Sequence, residues 1–339
     1  MIFENVAIES VSYVLPPHVV TSEELERQID ETMKRLRIPL GRINYLAGIK
    51  ERRFWDPGVQ PSEAATLAAR KAIEEAGIEP ERLGILVNTS VSRDYEEPST
   101  ACLVHGNLGL GSHCMNYDIG NACLGFVNGM HVVGMMIETG QIDYGIIVNA
   151  ESARHAVEGT IRRLQNPETT MQTFRDNFAT LTLGSGAVAM VLTHKKFSRT
   201  THRINGMVNV AATKYNRLCL GKGDEMITDA SALLLAGVDV VSQAWEIARE
   251  KLPNWSDEKI DLYAPHQVGS RHVAAVVKAI GATPEKFFLN FPVLGNIGPA
   301  AMPISLAQAA EQGRLKDGSH VALIGVGSGI NCCLVSVTW

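Results

Sequence analysis

The sequence predicts an α/β fold, and three observations carry that prediction. Short apolar runs of strand length alternate with helical stretches along nearly the whole chain, the order expected of strand–helix–strand units. The chain has 339 residues, 45% of them hydrophobic and 20% charged, which is two domains' worth at about 150 residues each and enough to bury a large core. The second half echoes the strand and helix order of the first.

The elements follow in order. SEAA at 62–65 opens a helix, with Ser62 as its expected N-cap and Gly77 as its stop, because a hydroxyl satisfies a free N–H and glycine accepts the left-handed turn. LGILVN at 83–88 is the continuous apolar run of a buried parallel strand. Residues 115–118 read as a strand, 122–138 as a helix and YGIIVN at 144–149 as the next strand. In the second half KIDLYA at 259–264 is a strand, 270–280 and 299–313 are helices, and 320–326 with 330–337 form a closing strand pair. Between the halves, HKKFSRTTHR at 194–203 is basic and has no apolar periodicity, so it is expected to be a solvated connection. The expected division is therefore 1–193, a linker at 194–204, and 205–339.

Composition removes several classes. Lys plus Arg number 31 against 36 Asp plus Glu, a net charge of −5, which speaks against a nucleic-acid binder or a basic membrane-surface protein. The six cysteines show no CxxC spacing, so neither a structural zinc nor a thioredoxin-type pair is indicated. The first residues carry Glu4 and Glu9 and no basic run, unlike a secretory signal. Two uncharged stretches, 119–137 and 318–339, are interrupted by Asn121, Asn128, His131, His320 and several glycines, so no membrane span is expected. The expectation is a reduced, soluble, cytoplasmic protein without a metal.

Chemistry concentrates at DIGNACLGF, 118–126. Cys123 lies where a strand ends and a small-residue turn starts an apolar helix. The positive end of a helix dipole and free backbone N–H groups favour thiolate over thiol, which predicts a lowered pKa and a nucleophile. The alternative is an inert buried cysteine. His266, in PHQ at 265–267, follows a strand at its C-terminal end, where open α/β sheets place their sites; a plain hydrogen-bonded loop histidine fits as well. Asn296, in GNIGP at 295–299, opens a helix and is either a site amide or an ordinary cap. GVGSG at 325–329 joins two strands, so it is no dinucleotide fingerprint, but such a turn leaves backbone N–H groups facing outward, as an oxyanion hole requires. GxSxG, GxxxxGK[ST] and HExxH are absent from the sequence, which removes the hydrolase-elbow, P-loop and zincin readings.

Together with GIKERR (48–53), EPSTA (97–101), HQV, GNIGPA and GVGSGIN, these pieces make the chain resemble the thiolase superfamily on its ketoacyl synthase III branch, from the first strand to Trp339. SVSRDYEEPSTA and the terminal VTW resemble the OleA-type acyl-thioester condensing enzymes within it. The resemblance implies a five-layered αβαβα sandwich of two pseudo-repeated halves, the first with an inserted cap region, and a homodimer. It implies an acyl group carried on Cys123, with His266 and Asn296 orienting a second thioester and stabilising its enolate oxygen. The oxyanion hole would use the backbone N–H groups of Cys123 and Ser328. Substrates would be acyl-CoA, or acyl carrier protein thioesters, with no cofactor. Arg52 and Arg53 are candidate phosphate contacts; at the positions where starter-unit synthases clamp coenzyme A with Trp and Arg, this chain has Arg42 and Leu46. Phe126, with Leu124 and Met130, is a candidate wall of the acyl cavity.

Glu97 separates two reactions. In OleA-type enzymes the matching glutamate reaches in from the partner subunit and is the proposed α-proton base; otherwise it is an exposed loop carboxylate beside Glu96. A malonyl extender brings its own carboxylate, and two like charges about 4 Å apart cost about 4 kcal/mol at an effective dielectric near 20. Loss of CO2 makes a carbanion without a base, whereas joining two simple acyl-CoAs needs one. Glu97 therefore points to Claisen condensation of two acyl-CoAs. The alternatives are a malonyl-dependent 3-oxoacyl synthase III and a non-catalytic, acyl-carrier-binding partner of the same fold.

Overall fold

The computed structural model describes residues 1–339. In the first half the strands are β1 (Val6–Val14), β2 (His18–Thr21), β3 (Glu51–Phe54), β4 (Leu83–Asn88), β5 (Met115–Asp118), β6 (Tyr144–Glu151) and β7 (Gly186–His194). In the second they are β8 (Arg203–Ala211), β9 (Cys219–Lys222), β10 (Glu225–Thr228), β11 (Leu262–Pro265), β12 (His320–Gly327) and β13 (Asn331–Thr338). A nine-stranded sheet runs β11-β12-β13-β8-β1-β7-β6-β4-β5, while β2–β3 and β9–β10 are separate ribbons.

The sheet is one pattern used twice. Outward from β1, the pairs with β7 and then β6 are antiparallel, and those to β4 and β5 are parallel. Outward from β8, the pairs to β13 and β12 are antiparallel and the pair to β11 is parallel. Tyr263 of β11 then bridges in parallel to Phe287, where a fifth strand would lie. The two copies meet through a single pairing, Ala7 with Arg203.

Pleating sorts the side chains into layers, since successive residues of a strand face opposite sides. Val188, Met190 and Leu192 of β7 enter the core between the two copies, and Ala187, Ala189 and Val191 enter the core under the outer helix Pro61–Ala76. In β13, Cys333, Val335 and Val337 face the shared core, while Cys332 and Leu334 face the outer helices Ala230–Lys251 and Ser270–Ile280. Two buried helices, Gly125–Glu138 and Ala301–Glu311, fill the shared middle layer. The result is the predicted αβαβα order. Helix Ala230–Lys251 is long and apolar enough to span a bilayer, but Val240, Val241, Ala244, Trp245 and Ala248 are packed in the outer core.

Several local expectations shift. The first long helix starts two residues earlier than predicted, with Gln60 as N-cap and Pro61 at the first helical position, where proline loses no hydrogen bond. Gln60 N–H donates to Glu63 at 2.8 Å, and Ser62 donates instead to Asp94. KIDLYA contributes only its second half to β11, which runs to Pro265. The 299–313 helix begins as a 3-10 turn, Gly298–Ala300, and is α-helical over Ala301–Glu311. The basic connection is not a free loop. Arg199 Nε and Ser198 Oγ each donate at 2.9 Å to buried Glu9 of β1, and His202 stacks on Trp339 with ring centroids 4.0 Å apart.

Residues between β6 and β7 form helices Arg154–Leu164 and Met171–Asn177. They pack with Leu25, Ile29, Met33, Ile43 and Phe54 into a fourth apolar cluster. That cluster roofs the ends of the strands.

Candidate active site

Cys123 is placed by backbone close packing. It lies in a 3-10 turn, Ala122–Leu124, that leads directly into helix Gly125–Glu138. A Cβ on Gly125 would come within 2.4 Å of the Thr89 carbonyl oxygen, and one on Gly129 within 2.8 Å of Thr89 Cγ2, so the helix start lies hard against the end of β4. Ala122 takes φ 44° to make the turn, a conformation a non-glycine residue holds only under structural constraint. The constraint is visible: Asn121 donates to Asn128 Oδ1 at 2.7 Å and accepts from Asn331 Nδ2 at 3.2 Å.

His266 follows β11 without an intervening residue, and its N–H donates to Ile324 O at 2.7 Å. It is 3% exposed. Asn296 is held from both sides, its N–H donating to Thr182 O and its carbonyl accepting from Gly184 N–H, each at 2.9 Å. Its side-chain Oδ1 accepts from Gly298 N–H at 3.0 Å. Only an oxygen can do so, which orients the amide and leaves Nδ2 as the donor end for a ligand.

Cys123, His266, Asn296, Gly327 and Ser328 all line one cavity of about 1880 Å³. Arg42 and Leu46 line it too, so the two positions that differ from starter-unit synthases do face the substrate space. Glu97 does not line it; it is an exposed loop residue. The loop is nonetheless fixed in place, because Thr100 and Ala101 N–H donate at 3.1 and 2.8 Å to Asp118 at the end of β5. Glu97 thus stands beside the outer edge of the sheet.

Three site expectations are corrected. Arg52 is fully buried and donates to Ser22 Oγ at 3.0 Å and Leu181 O at 2.9 Å; strand alternation turns it inward, away from any phosphate. Arg53 donates to Pro16 O at 3.1 Å and is not a cavity residue. Phe126 is fully buried in the middle layer, with Leu124 and Met130, rather than lining the cavity. In place of Phe126, Phe174 and Phe178 of the roof line the cavity.

The protonation states also differ from the helix-dipole expectation. Burial pushes the Cys123 thiol up to about 12, and Cys219 and Glu151 push the same way, while the residue's own backbone N–H pulls back. Desolvation outweighs the pull of that backbone N–H. The resting group is a thiol. Burial pushes the His266 imidazole down to about 3, with His272 adding to it and the Gly298 backbone opposing both. It is a neutral ring.

Glu151, which sequence reasoning passed over, is a buried carboxylate of the same cavity. It ends β6, is 7% exposed and lines the same cavity. Burial pushes it up to about 7 against the hydrogen bonds that it accepts. The signal in the sequence was a single carboxylate closing the otherwise uncharged run YGIIVNAE.

Family models match this frame. The description 3-oxoacyl-[acyl-carrier-protein (ACP)] synthase III matches residues 117–208, and its C-terminal counterpart matches 251–339. The chain belongs to the 3-oxoacyl-ACP synthase III family. Within that family it is 44% identical over 339 residues to the acyl-CoA:acyl-CoA alkyltransferase of Xanthomonas campestris pv. campestris, covering 100% of both chains. A solved cysteine-to-serine form of Xanthomonas campestris OleA, with bound lauric acid and lauroyl-CoA, superposes with a TM-score of 0.97 at 44% identity, over 99% of this chain and 100% of that one. A structure described as 3-oxoacyl-(acyl carrier protein) synthase III, FabH, from Xanthomonas oryzae pv. oryzae has the same TM-score, 0.97, at 45% identity and covers 100% of both chains.

Proposed function

We propose that this protein joins two fatty acyl-CoA molecules by Claisen condensation, through an acyl-thioester on Cys123. The observation that carries the reading is the meeting of Cys123, His266, Asn296 and Ser328 in one cavity, in a chain 44% identical end to end to an acyl-CoA:acyl-CoA alkyltransferase.

In the first step the Cys123 sulfur attacks the thioester carbon. Because the group rests as a thiol, its proton leaves as the bond forms and departs with the coenzyme A thiolate as free CoA-SH. The Cys123 and Ser328 N–H groups receive the oxyanion; one such donor is typically worth about 2.7–4 kcal/mol of barrier. In the second step a second acyl-CoA loses an α-proton. The neutral His266 ring, through its one N–H, and the Asn296 amide donate to its enolate oxygen. The enolate carbon attacks the acyl carbonyl, Cys123 leaves as thiolate, and the abstracted proton returns to it. The product is a β-ketoacyl thioester.

The α-proton base in this reading is Glu97 of a second copy. β5 is the terminal strand of the sheet, with Met115 45% and Tyr117 39% exposed on an unpaired edge. Such an edge invites another chain. Glu97 stands next to it, so a homodimer formed there would bring each Glu97 toward the other copy's cavity.

The second reading, decarboxylative condensation with a malonyl thioester, is favoured by the likeness to the structure described as FabH. One experiment tests both. Purified protein receives a long-chain acyl-CoA with and without malonyl-CoA or malonyl-ACP, and products are followed by mass spectrometry. The expected result is a β-keto product from acyl-CoA alone, with an acyl adduct on wild type that Cys123→Ala lacks. Condensation that requires malonyl and releases CO2 would overturn the first reading in favour of the second.

A further inference from the structure

Glu151 is buried, ionisable and unused by the steps above. Its carboxylate accepts from four donors: Val91 N–H at 2.9 Å and Asn149 Nδ2 at 3.3 Å on one oxygen, Ser92 N–H at 3.1 Å and Ser92 Oγ at 2.9 Å on the other. A carboxylate has about four acceptor sites, so none is left to take a proton from substrate carbon. That excludes it as the α-proton base.

Its neighbours assign it other work. Val91 and Ser92 follow β4 and line the cavity wall, and the carboxylate is what pins them. Ser92 Oγ also accepts from Ser152 N–H at 3.0 Å, which ties the ends of β4 and β6 together. On its other side a Cβ on Gly298 would lie 3.6 Å from Glu151 Cγ. Gly298 in turn donates to Asn296 Oδ1 and influences His266. One carboxylate therefore abuts the Val91–Ser92 wall and the turn that carries Asn296, whose Gly298 backbone also hydrogen-bonds His266.

Resting on the condensation reading, we infer that Glu151 is a positioning residue: it clamps the Val91–Ser92 wall against the Asn296–Gly298 turn and holds a negative charge in the Cys123 cavity. The charge acts on the sulfur. Cys219 is the other ionisable group that weighs on the thiol, and His266, His272, Arg93 and Arg154 share the cavity. With a negative neighbour, Cys123 stays protonated until a thioester arrives, which spares a deeply placed thiolate from reacting with other electrophiles.

Two substitutions separate charge from clamp. Glu151→Gln removes the charge and one acceptor; Glu151→Asp keeps the charge but withdraws it by one methylene. The readouts are acyl-CoA condensation and the rate of Cys123 alkylation by iodoacetamide at mildly alkaline pH, followed on the Cys123 peptide. Below its pKa a thiol's alkylation rate tracks its thiolate fraction, so loss of a facing charge that moves the pKa by about one unit gives about a tenfold rise. Glu151→Gln is expected to show that rise, Glu151→Asp to stay within about twofold of wild type, and both to lose condensation by about tenfold or more. A Glu151→Gln alkylation rate equal to wild type, or equal rises in both variants, would overturn the inference, since a purely structural clamp does not distinguish them. Should Glu151→Gln fail to fold, Glu151→Asp decides alone: wild-type condensation in that variant refutes the clamp. The alkylation arm needs no condensation, so wild type that fails to condense acyl-CoA defeats the proposed function and leaves the charge effect readable.

Discussion

The position of Cys123 depends on the absence of one methyl group. At Gly125 a Cβ would lie 2.4 Å from the Thr89 carbonyl oxygen, against 3.4 Å for ordinary contact. The obstacle is backbone at the end of β4, and it cannot rotate away as a side-chain tip would. Gly125→Ala must therefore push the helix start, and the turn bearing Cys123 two residues upstream, by about one ångström. Overpacking in a core costs about 1–3 kcal/mol, and a rigid backbone partner places this case near 3 kcal/mol. Displacement of a reacting atom by about 1 Å costs about a hundredfold in rate. Urea unfolding measures the first effect, and the rate at which acyl-CoA adds mass to Cys123 measures the second. The matched control is Gly237→Ala in the middle of helix Ala230–Lys251, where the added carbon meets Val326 Cγ1 at an ordinary 3.7 Å. That change should stabilise by up to about 1 kcal/mol through helix propensity. Gly125→Ala with wild-type stability and acylation would show that the close approach does not fix the nucleophile.

Two further outcomes follow from buried charge. Arg52→Ala removes donors to Ser22 and Leu181 from a sealed site; it should cost about 3 kcal/mol in urea unfolding while leaving the KM for acyl-CoA unchanged, and a raised KM with intact stability would return Arg52 to the phosphate role. Stability should fall with acidification below about pH 6.5, because His266 and His272 are held neutral with folded values of about 3 and 4 against 6.5 unfolded, so the unfolded chain takes up protons first. Glu151, raised from 4.5 to about 7, acts in the opposite sense, being more readily protonated in the folded state. Burial lowers His131, His202 and His320 as well, so the losses outnumber the one gain and stability falls by about 1.4 kcal/mol or more per pH unit between about pH 6.5 and 5; urea midpoints that stay level or rise over that window would refute the neutral-histidine assignment.

The sequence was most legible where local pattern and tertiary role coincide. Apolar runs such as LGILVN and YGIIVN are buried strands because both faces of a central strand are covered, and β4 and β6 begin where those runs begin. Cys123, His266 and Asn296 could be found because each follows a strand or opens a helix, positions that pattern alone can mark. What failed depended on which way a side chain turned. ERRF alternates like any edge strand, and nothing local says that Arg52 points inward while Arg53 does not. Phe126 and Cys123 are three residues apart on the same turn, yet one faces the middle layer and the other the cavity. Thiol acidity was misjudged for a related reason: the helix dipole is a local property, whereas the desolvation that overrides it comes from the whole fold.

The doubled strand pattern explains why one cavity can treat two similar thioesters differently. β4 and β11 hold the same place in the two copies, as do β6 and β12, and the two buried helices each follow the outermost parallel pairing. Equivalent positions therefore converge from both sides on the cavity: the wall Thr89–Ser92 matches His266, Glu151–Ser152 matches Gly327–Ser328, and the Gly120–Cys123 turn matches Gly295–Gly298. A condensation needs one acyl group held as an electrophile and the other held as an enolate. The frame supplies two like sites, and divergence at matched positions makes them unlike: in the proposed reaction a sulfur before one buried helix would form the covalent bond, while an amide before the other and an imidazole at the paired strand end would offer hydrogen bonds. The carboxylate of Glu151 stands opposite a glycine in the other copy. Charge is thereby kept at the end of β6 and off the matching end of β12, whose turn carries Ser328 and where an oxyanion would be repelled by it.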